Sequence, residues 1–217
     1  MHPQRLILIA ALVLAFGHAW LRGAFVGIGM ADVAAIAETQ APGAALQRAT
    51  FAGGCFWSVE SDFEKINGVV DTTVGHTGGR VQNPTYDQVS RGGTGHVEAA
   101  EVVFDPAVVT FEQLLERYWR TVDPFTRNRQ FCDAGPQYRP VIFVHDAGQR
   151  AAAERSKARI QGLFSQQIVV EIEDARPFYR AEAYHQDYAR SNPVQYQYYR
   201  WRCGRDARLA EIWGPRT

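Results

Sequence analysis

The chain has 217 residues, 23 basic and 23 acidic side chains, and 46% hydrophobic residues. That length suits one domain with an extension, and 21% charged with 12% aromatic residues is a globular composition. The even charge balance leaves no electrostatic footprint for nucleic acid, and three cysteines are too few for a disulfide scaffold or a four-cysteine zinc site.

Residues 1–30 read as a secretory signal peptide or an uncleaved membrane anchor. Arg5 precedes an apolar run from Leu6 to Phe16, and Gly17-His18-Ala19 is a small-residue cleavage candidate. His18 and Arg22 interrupt the apolar stretch before it reaches the length of a spanning helix. Residues 31–47 read as a linker with Pro42 and Gly43. The expected location is outside the cytoplasm, in a periplasm, tethered to the membrane if the segment stays uncleaved.

The folded domain is expected over 48–217. A short strand from Arg48 ends at Gly53-Gly54, and Phe56, Val59, Phe63 and Ile66 follow at helical spacing. Val69 to His76 is a β-branched strand; Gly78-Gly79 and Asn83-Pro84 mark a loop. Gly95 to Phe104 is a long strand. Thr110 and Gln113 form a capping-box pattern before Phe111, Leu114, Leu115, Tyr118, Trp119 and Val122, an amphipathic series. Asp123 to Tyr138 is a long irregular connection, and long loops in compact domains often carry function. A strand over 139–145, a helix from Asp146 to Gln161 and a strand over 167–173 follow. The tail is rich in Tyr and Trp, reads as irregular packing, and ends in a short helix over 205–213. The order β-α-β-β-α-β is the split-βαβ, ferredoxin-like arrangement. The expected fold is therefore α+β: a two-layer mixed sheet with helices, long loops and an irregular C-terminal tail.

Cys55 falls at the start of a helix behind two glycines. Free N–H groups there favour an anion, so a thiolate is expected with a lowered pKa. A buried structural thiol fits the same residues. No cysteine lies two residues away, which argues against a thioredoxin-type dithiol. Along the long strand Glu98 and Glu101 lie on opposite, largely apolar faces. A desolvated carboxyl there is a proton donor near neutral pH, and a strand-end glutamate paired with an arginine is the plainer alternative. No histidine pair has metal-ligand spacing. A Cys55–His pair for acyl transfer and a non-catalytic binding module remain rival readings.

The segment Gly54-Cys55-Phe56-Trp57 resembles the peptide methionine sulfoxide reductase A family. Gly75-His76-Thr77-Gly78-Gly79, Asn83-Pro84-Thr85-Tyr86, Thr94-Gly95-His96-Val97-Glu98, Asn128-Arg129-Gln130, Gln137-Tyr138-Arg139 and Tyr184-His185-Gln186 match in order and spacing. The resemblance implies that Cys55 attacks the sulfoxide sulfur and Glu98 protonates its oxygen, assisted by Tyr86 and Tyr138. It further implies that Asp133 orders the polar side of the site and that Phe56 and Trp57 hold the substrate methyl group. The implied reaction reduces the S epimer of methionine sulfoxide, free or in oxidised proteins, through a Cys55 sulfenic acid and an intramolecular disulfide. The implied electron donor is thioredoxin or another dithiol, with no bound cofactor and no metal, and a monomer is expected.

Three positions depart from the family pattern. Ser58 stands where many members have glycine, and Phe131-Cys132 replaces a more usual Gly-Asn. Cys203 comes later in the tail than the recycling cysteine of many members. Cys203 is the expected resolving cysteine and Cys132 the alternative, because a cysteine in a glycine-containing tail can move.

Overall fold

A computed structural model describes residues 45–214. The signal or anchor reading over 1–30 and most of the 31–47 linker lie outside the described residues. No helix among the described residues is long and apolar enough to cross a membrane.

The elements run β1 (Gln47–Ala52), α1 (Phe56–Phe63), β2 (Val69–Thr77), α2 (Tyr86–Ser90), β3 (Val97–Phe104) and α3 (Phe111–Trp119). A small hairpin, β4 (Arg129–Gln130) and β5 (Asp133–Ala134), precedes β6 (Val141–Val144), α4 (Ala147–Gln161) and β7 (Glu171–Asp174). The chain closes with β8 (Tyr179–Arg180), α5 (Tyr188–Ser191), α6 (Pro193–Arg202) and α7 (Arg205–Trp213).

The six-stranded sheet has the order β7-β6-β1-β3-β2-β8. Its central four strands, β6-β1-β3-β2, pair antiparallel throughout, which is the split-βαβ arrangement. β7 adds to β6 in parallel, so the whole sheet is mixed. Capping boxes at Thr85/Gln88 and Thr110/Gln113 start α2 and α3. The apolar stripe of α3 packs, fully or nearly fully buried, with Phe51, Phe56, Phe63 and Ile142 on one face of the sheet. Ala52, Val97, Ala99, Val141 and Phe143 fill the other face under Ala175 and Phe178.

Two expectations need correction. The loop after Pro84 contains the helix α2, because Thr85 and Gln88 cap it reciprocally. The tail is not irregular: Pro193 opens α6 at its first turn, where a missing N–H costs nothing. Gly204 then takes a left-handed turn (φ 66°) into α7.

Candidate active site

The turn from β1 into α1 places Cys55. Gly54 has φ 81°, and a Cβ there would sit 2.5 Å from Gln130 Cβ. Only glycine combines that left-handed backbone with such close approach. Cys55 then caps α1 with its backbone and is 7% exposed, with a free thiol.

The residues around that thiol come from five parts of the chain. Cys55, Phe56, Trp57, Tyr86, Glu98, Asp133, Tyr138 and Tyr199 line one cavity of about 70 Å³. Every residue expected at the site except the two outer cysteines is in that set. Trp57 is held from behind: its Nε1–H donates to His185 Nδ1 at 3.1 Å, and its ring stacks on Tyr188 with centroids 3.7 Å apart.

Glu98 is 2% exposed and accepts the Phe56 N–H at 3.0 Å. Burial pushes its pKa up to about 8, against the pull of that hydrogen bond, and the nearby Asp133 charge adds to the rise. It is therefore mostly protonated at neutral pH, as a proton donor must be. Glu101, on the opposite face of β3, pairs with Arg48 at 3.3 Å instead. Burial likewise raises Tyr86 and Tyr138, which remain phenols able to donate.

Asp133 sits at the start of β5, and its carboxylate accepts from the Cys55 backbone. Burial raises its pKa, while a hydrogen bond from Tyr199 and the charge of Arg205 oppose the rise. The Tyr199 hydroxyl donates to Asp133 Oδ2 at 2.6 Å and lines the same cavity as the Cys55 thiol.

The expected thiolate is not found. Burial, and then the charges of Glu98 and Asp133, push the Cys55 thiol well above its ordinary range; the Tyr199 hydroxyl and a Trp57 backbone bond pull only partly back. The physical reason is that the helix N-terminus has only its Trp57 amide left for sulfur. Its Phe56 and Cys55 amides go to two carboxyl groups rather than to sulfur, and no cation lines the cavity. No histidine lines it either. Burial lowers His76 to about 4, and His185 is engaged by Trp57. The acyl-transfer reading thus finds no histidine base beside Cys55.

Cys132 and Cys203 are joined in a disulfide. Cys132 occupies the exposed tip of the β4–β5 hairpin, beside Asp133, and Cys203 caps α6. Both resolving candidates therefore lie at the site's rim, bonded to each other, with Cys55 free. The two sulfurs and the Asp133 carboxylate lie within 4.8 Å of one another, a grouping of metal-ligand types. With its thiols joined, that grouping offers one carboxylate.

Phe131, in the same tip, has φ 55°, a left-handed conformation that Gly or Asn would adopt more easily. The Arg205 guanidinium lies 4.4 Å from its ring centroid and offsets part of that strain. Arg205 is 1% exposed and donates to Gly53 O at 2.9 Å and Thr121 O at 3.0 Å. It thereby ties α7 to the turn that carries Cys55. Ser58 is buried in α1 without a hydrogen-bond partner for its hydroxyl.

Tyr199 was not legible as a site residue among the aromatic residues of the tail. A signal existed: behind Pro193 as a helix start, Tyr196, Tyr199 and Cys203 recur at three and four residues, one helix face.

Residues 47–217 match the family described as Peptide methionine sulfoxide reductase. A Peptide methionine sulfoxide reductase MsrA of Ligilactobacillus salivarius is 51% identical over 150 residues, covering 68% of this chain and 87% of that protein. The Peptide methionine sulfoxide reductase MsrA/MsrB of Vibrio cholerae is 50% identical over 170 residues, 77% of this chain but only 45% of that longer protein. Among solved structures, Mxr1 from Saccharomyces cerevisiae in reduced form superposes with TM-score 0.66 at 32% identity, covering 69% of this chain and 87% of that one. The methionine sulfoxide reductase A of Corynebacterium diphtheriae gives TM-score 0.62 at 33% identity, covering 70% of this chain and 77% of that one. With its buried thiol, protonated carboxyl and aromatic walls in one cavity, the chain belongs to the peptide methionine sulfoxide reductase family.

Proposed function

We propose that this chain reduces the S epimer of methionine sulfoxide, free or in oxidised proteins, to methionine. The observation that carries the reading is one cavity holding a free thiol, a carboxyl with pKa about 8 and two phenols. A sulfoxide oxygen leaves sulfur only if it is protonated. Glu98 supplies that proton, Tyr86 and Tyr138 hydrogen-bond the oxygen, and Phe56 with Trp57 form an apolar wall for the methyl group. Cys55 attacks sulfur, methionine departs, and Cys55 becomes a sulfenic acid.

Cys203 then attacks the sulfenic sulfur and releases water, giving a Cys55–Cys203 disulfide. Cys132 exchanges into it, which frees Cys55 and leaves Cys132–Cys203 at the surface. The pairing of Cys132 with Cys203 beside a free Cys55 supports this order. A thioredoxin-like dithiol protein resets the surface disulfide. The basic and apolar N-terminal segment supports export to a periplasm, where such a reductant must be delivered.

The test is one turnover without reductant. The pre-reduced protein is mixed with the S-sulfoxide of N-acetylmethionine, methionine is counted, and the cysteines are mapped by digestion and mass spectrometry. One equivalent or more of N-acetylmethionine with a Cys132–Cys203 bridge is expected. Unchanged sulfoxide with three intact thiols rejects the reading.

A further inference from the structure

The reductive step leaves a question open in the chemistry: a buried, protonated Cys55 must lose its proton before it attacks. The cavity holds no histidine and no lysine. Glu98 cannot take the proton, because it enters the reaction as the acid. The remaining carboxylate is Asp133, and the side chain that donates to it within the same cavity as the thiol is Tyr199.

We propose that Tyr199 is a proton bridge in the reductive step, accepting the thiol proton of Cys55 while passing its own hydroxyl proton to Asp133. The proposal rests on the reductase reading above. Its geometry is direct. The Tyr199 hydroxyl donates to Asp133 Oδ2 at 2.6 Å and lines the cavity with Cys55. Having one proton and two lone pairs, it can accept from the thiol while donating to the carboxylate. Its ring stands edge-on to Trp57, with centroids 6.0 Å apart, which limits the rotation of the ring.

The step balances without any co-reactant. The Cys55 S–H bond breaks and a Tyr199 O–H bond forms; the former Tyr199 O–H bond breaks and an Asp133 O–H bond forms. One negative charge moves from carboxylate to sulfur, and no electron is exchanged. The thiolate then attacks the sulfoxide sulfur while Glu98 protonates the oxygen. Asp133 then holds the proton that left Cys55 by way of Tyr199, and the Glu98 proton is on the former sulfoxide oxygen, so no proton is gained or lost.

The surroundings favour this direction. Burial raises Asp133, so it is a better base than a surface aspartate. Tyr199 is the one side chain that pulls the Cys55 thiol downward, against burial, Glu98 and Asp133. The Arg205 charge opposes part of the rise that burial causes in Asp133. Tyr86 and Tyr138, raised by the same burial, stay protonated and face Glu98.

The experiment compares single-turnover formation of N-acetylmethionine by the full chain and by Tyr199→Phe, Asp133→Asn and the double variant. Positioned proton transfer typically contributes about 10²–10⁴-fold, so Tyr199→Phe is expected to slow the step at least about 10-fold. Half-saturation by sulfoxide should stay near wild type, and the pH–rate profile should lose its Asp133 limb. The double variant is expected to be no slower than the slower single one, as members of one relay are. A Tyr199→Phe rate within a factor of about two of wild type, or two losses that multiply, overturns the proposal. Tyr199→Leu separates packing from proton transfer: if it alone is slow while Tyr199→Phe is fast, the ring merely packs and the bridge is rejected. A wild-type protein that forms no N-acetylmethionine rejects the reductase reading instead.

Discussion

The Phe56 backbone N–H donates to the Glu98 carboxyl at 3.0 Å, joining the first turn of α1 to the start of β3. This bond places the acid beside the residue that follows Cys55. It also takes the amide that would otherwise stabilise a thiolate. The site therefore rests with both of its key protons in place, one on sulfur and one on Glu98.

Glu98→Gln keeps the shape and removes the acidic proton. The reductive step is expected to slow by about 10²–10⁴-fold. Single-turnover formation of N-acetylmethionine measures this, with half-saturation nearly unchanged because the amide still fills the place of the acid. A Gln variant that turns over at the wild-type rate would show that the oxygen is protonated from elsewhere.

The rate of the reductive step should fall as pH rises through about 8, the pKa to which burial pushes Glu98. The acid form is the active one, so the limb is a loss toward alkaline pH. In Glu98→Gln that limb should vanish from the residual rate. A pH–rate profile of single turnovers checks both.

Stability should follow the same carboxyl. The folded state keeps the Glu98 proton to about pH 8, against an ordinary 4.5 for a free side chain. Between those values the unfolded chain binds fewer protons, so stability falls as pH rises. Glu98→Gln is expected to flatten the decline of the thermal midpoint across this window. A midpoint whose pH slope is the same in both proteins counts against a protonated Glu98.

Arg205→Leu removes the donor shared by Gly53 O and Thr121 O and the cation over Phe131. An unsatisfied buried group costs about 1–3 kcal/mol, so a loss of at least about 2 kcal/mol is expected by urea unfolding. The variant should also slow the reductive step, since α7 and the hairpin tip are no longer held at the Cys55 turn.

Cys132→Ser should still form one equivalent of N-acetylmethionine in a single turnover and then stop at a Cys55–Cys203 disulfide. Steady-state turnover with a dithiol protein should drop, because the exchange that moves the disulfide outward is lost. Peptide mapping after the turnover gives the answer. A steady-state rate equal to wild type would remove Cys132 from recycling.

Much of this molecule is legible in its sequence, and the exceptions have a common cause. β1 and β3 are read correctly as short apolar runs buried on both faces, and α3 because its buried residues recur at helical spacing. Glu98 and Glu101 defeat that reading, since both sit among apolar neighbours and only the fold gives Glu101 its arginine. The helix α6 is missed for the opposite reason. Its outward positions carry Val194, Tyr198 and Trp201, all exposed, so no polar face marks it as amphipathic. The lowered thiol pKa fails because the helix terminus was read alone; Glu98 and Asp133 arrive there from strands 43 and 78 residues on.

The tip of the β4–β5 hairpin has a consequence of its own. Cys132 and Asp133 are neighbours in sequence, yet one is exposed and the other faces the buried cavity. On the proposed recycling route, electrons enter at a residue whose neighbour, one peptide unit away, handles only protons. A bulky protein donor can dock on the outer sulfur without ever seeing the chamber behind it. The hairpin works as a partition wall, and its thickness is one residue.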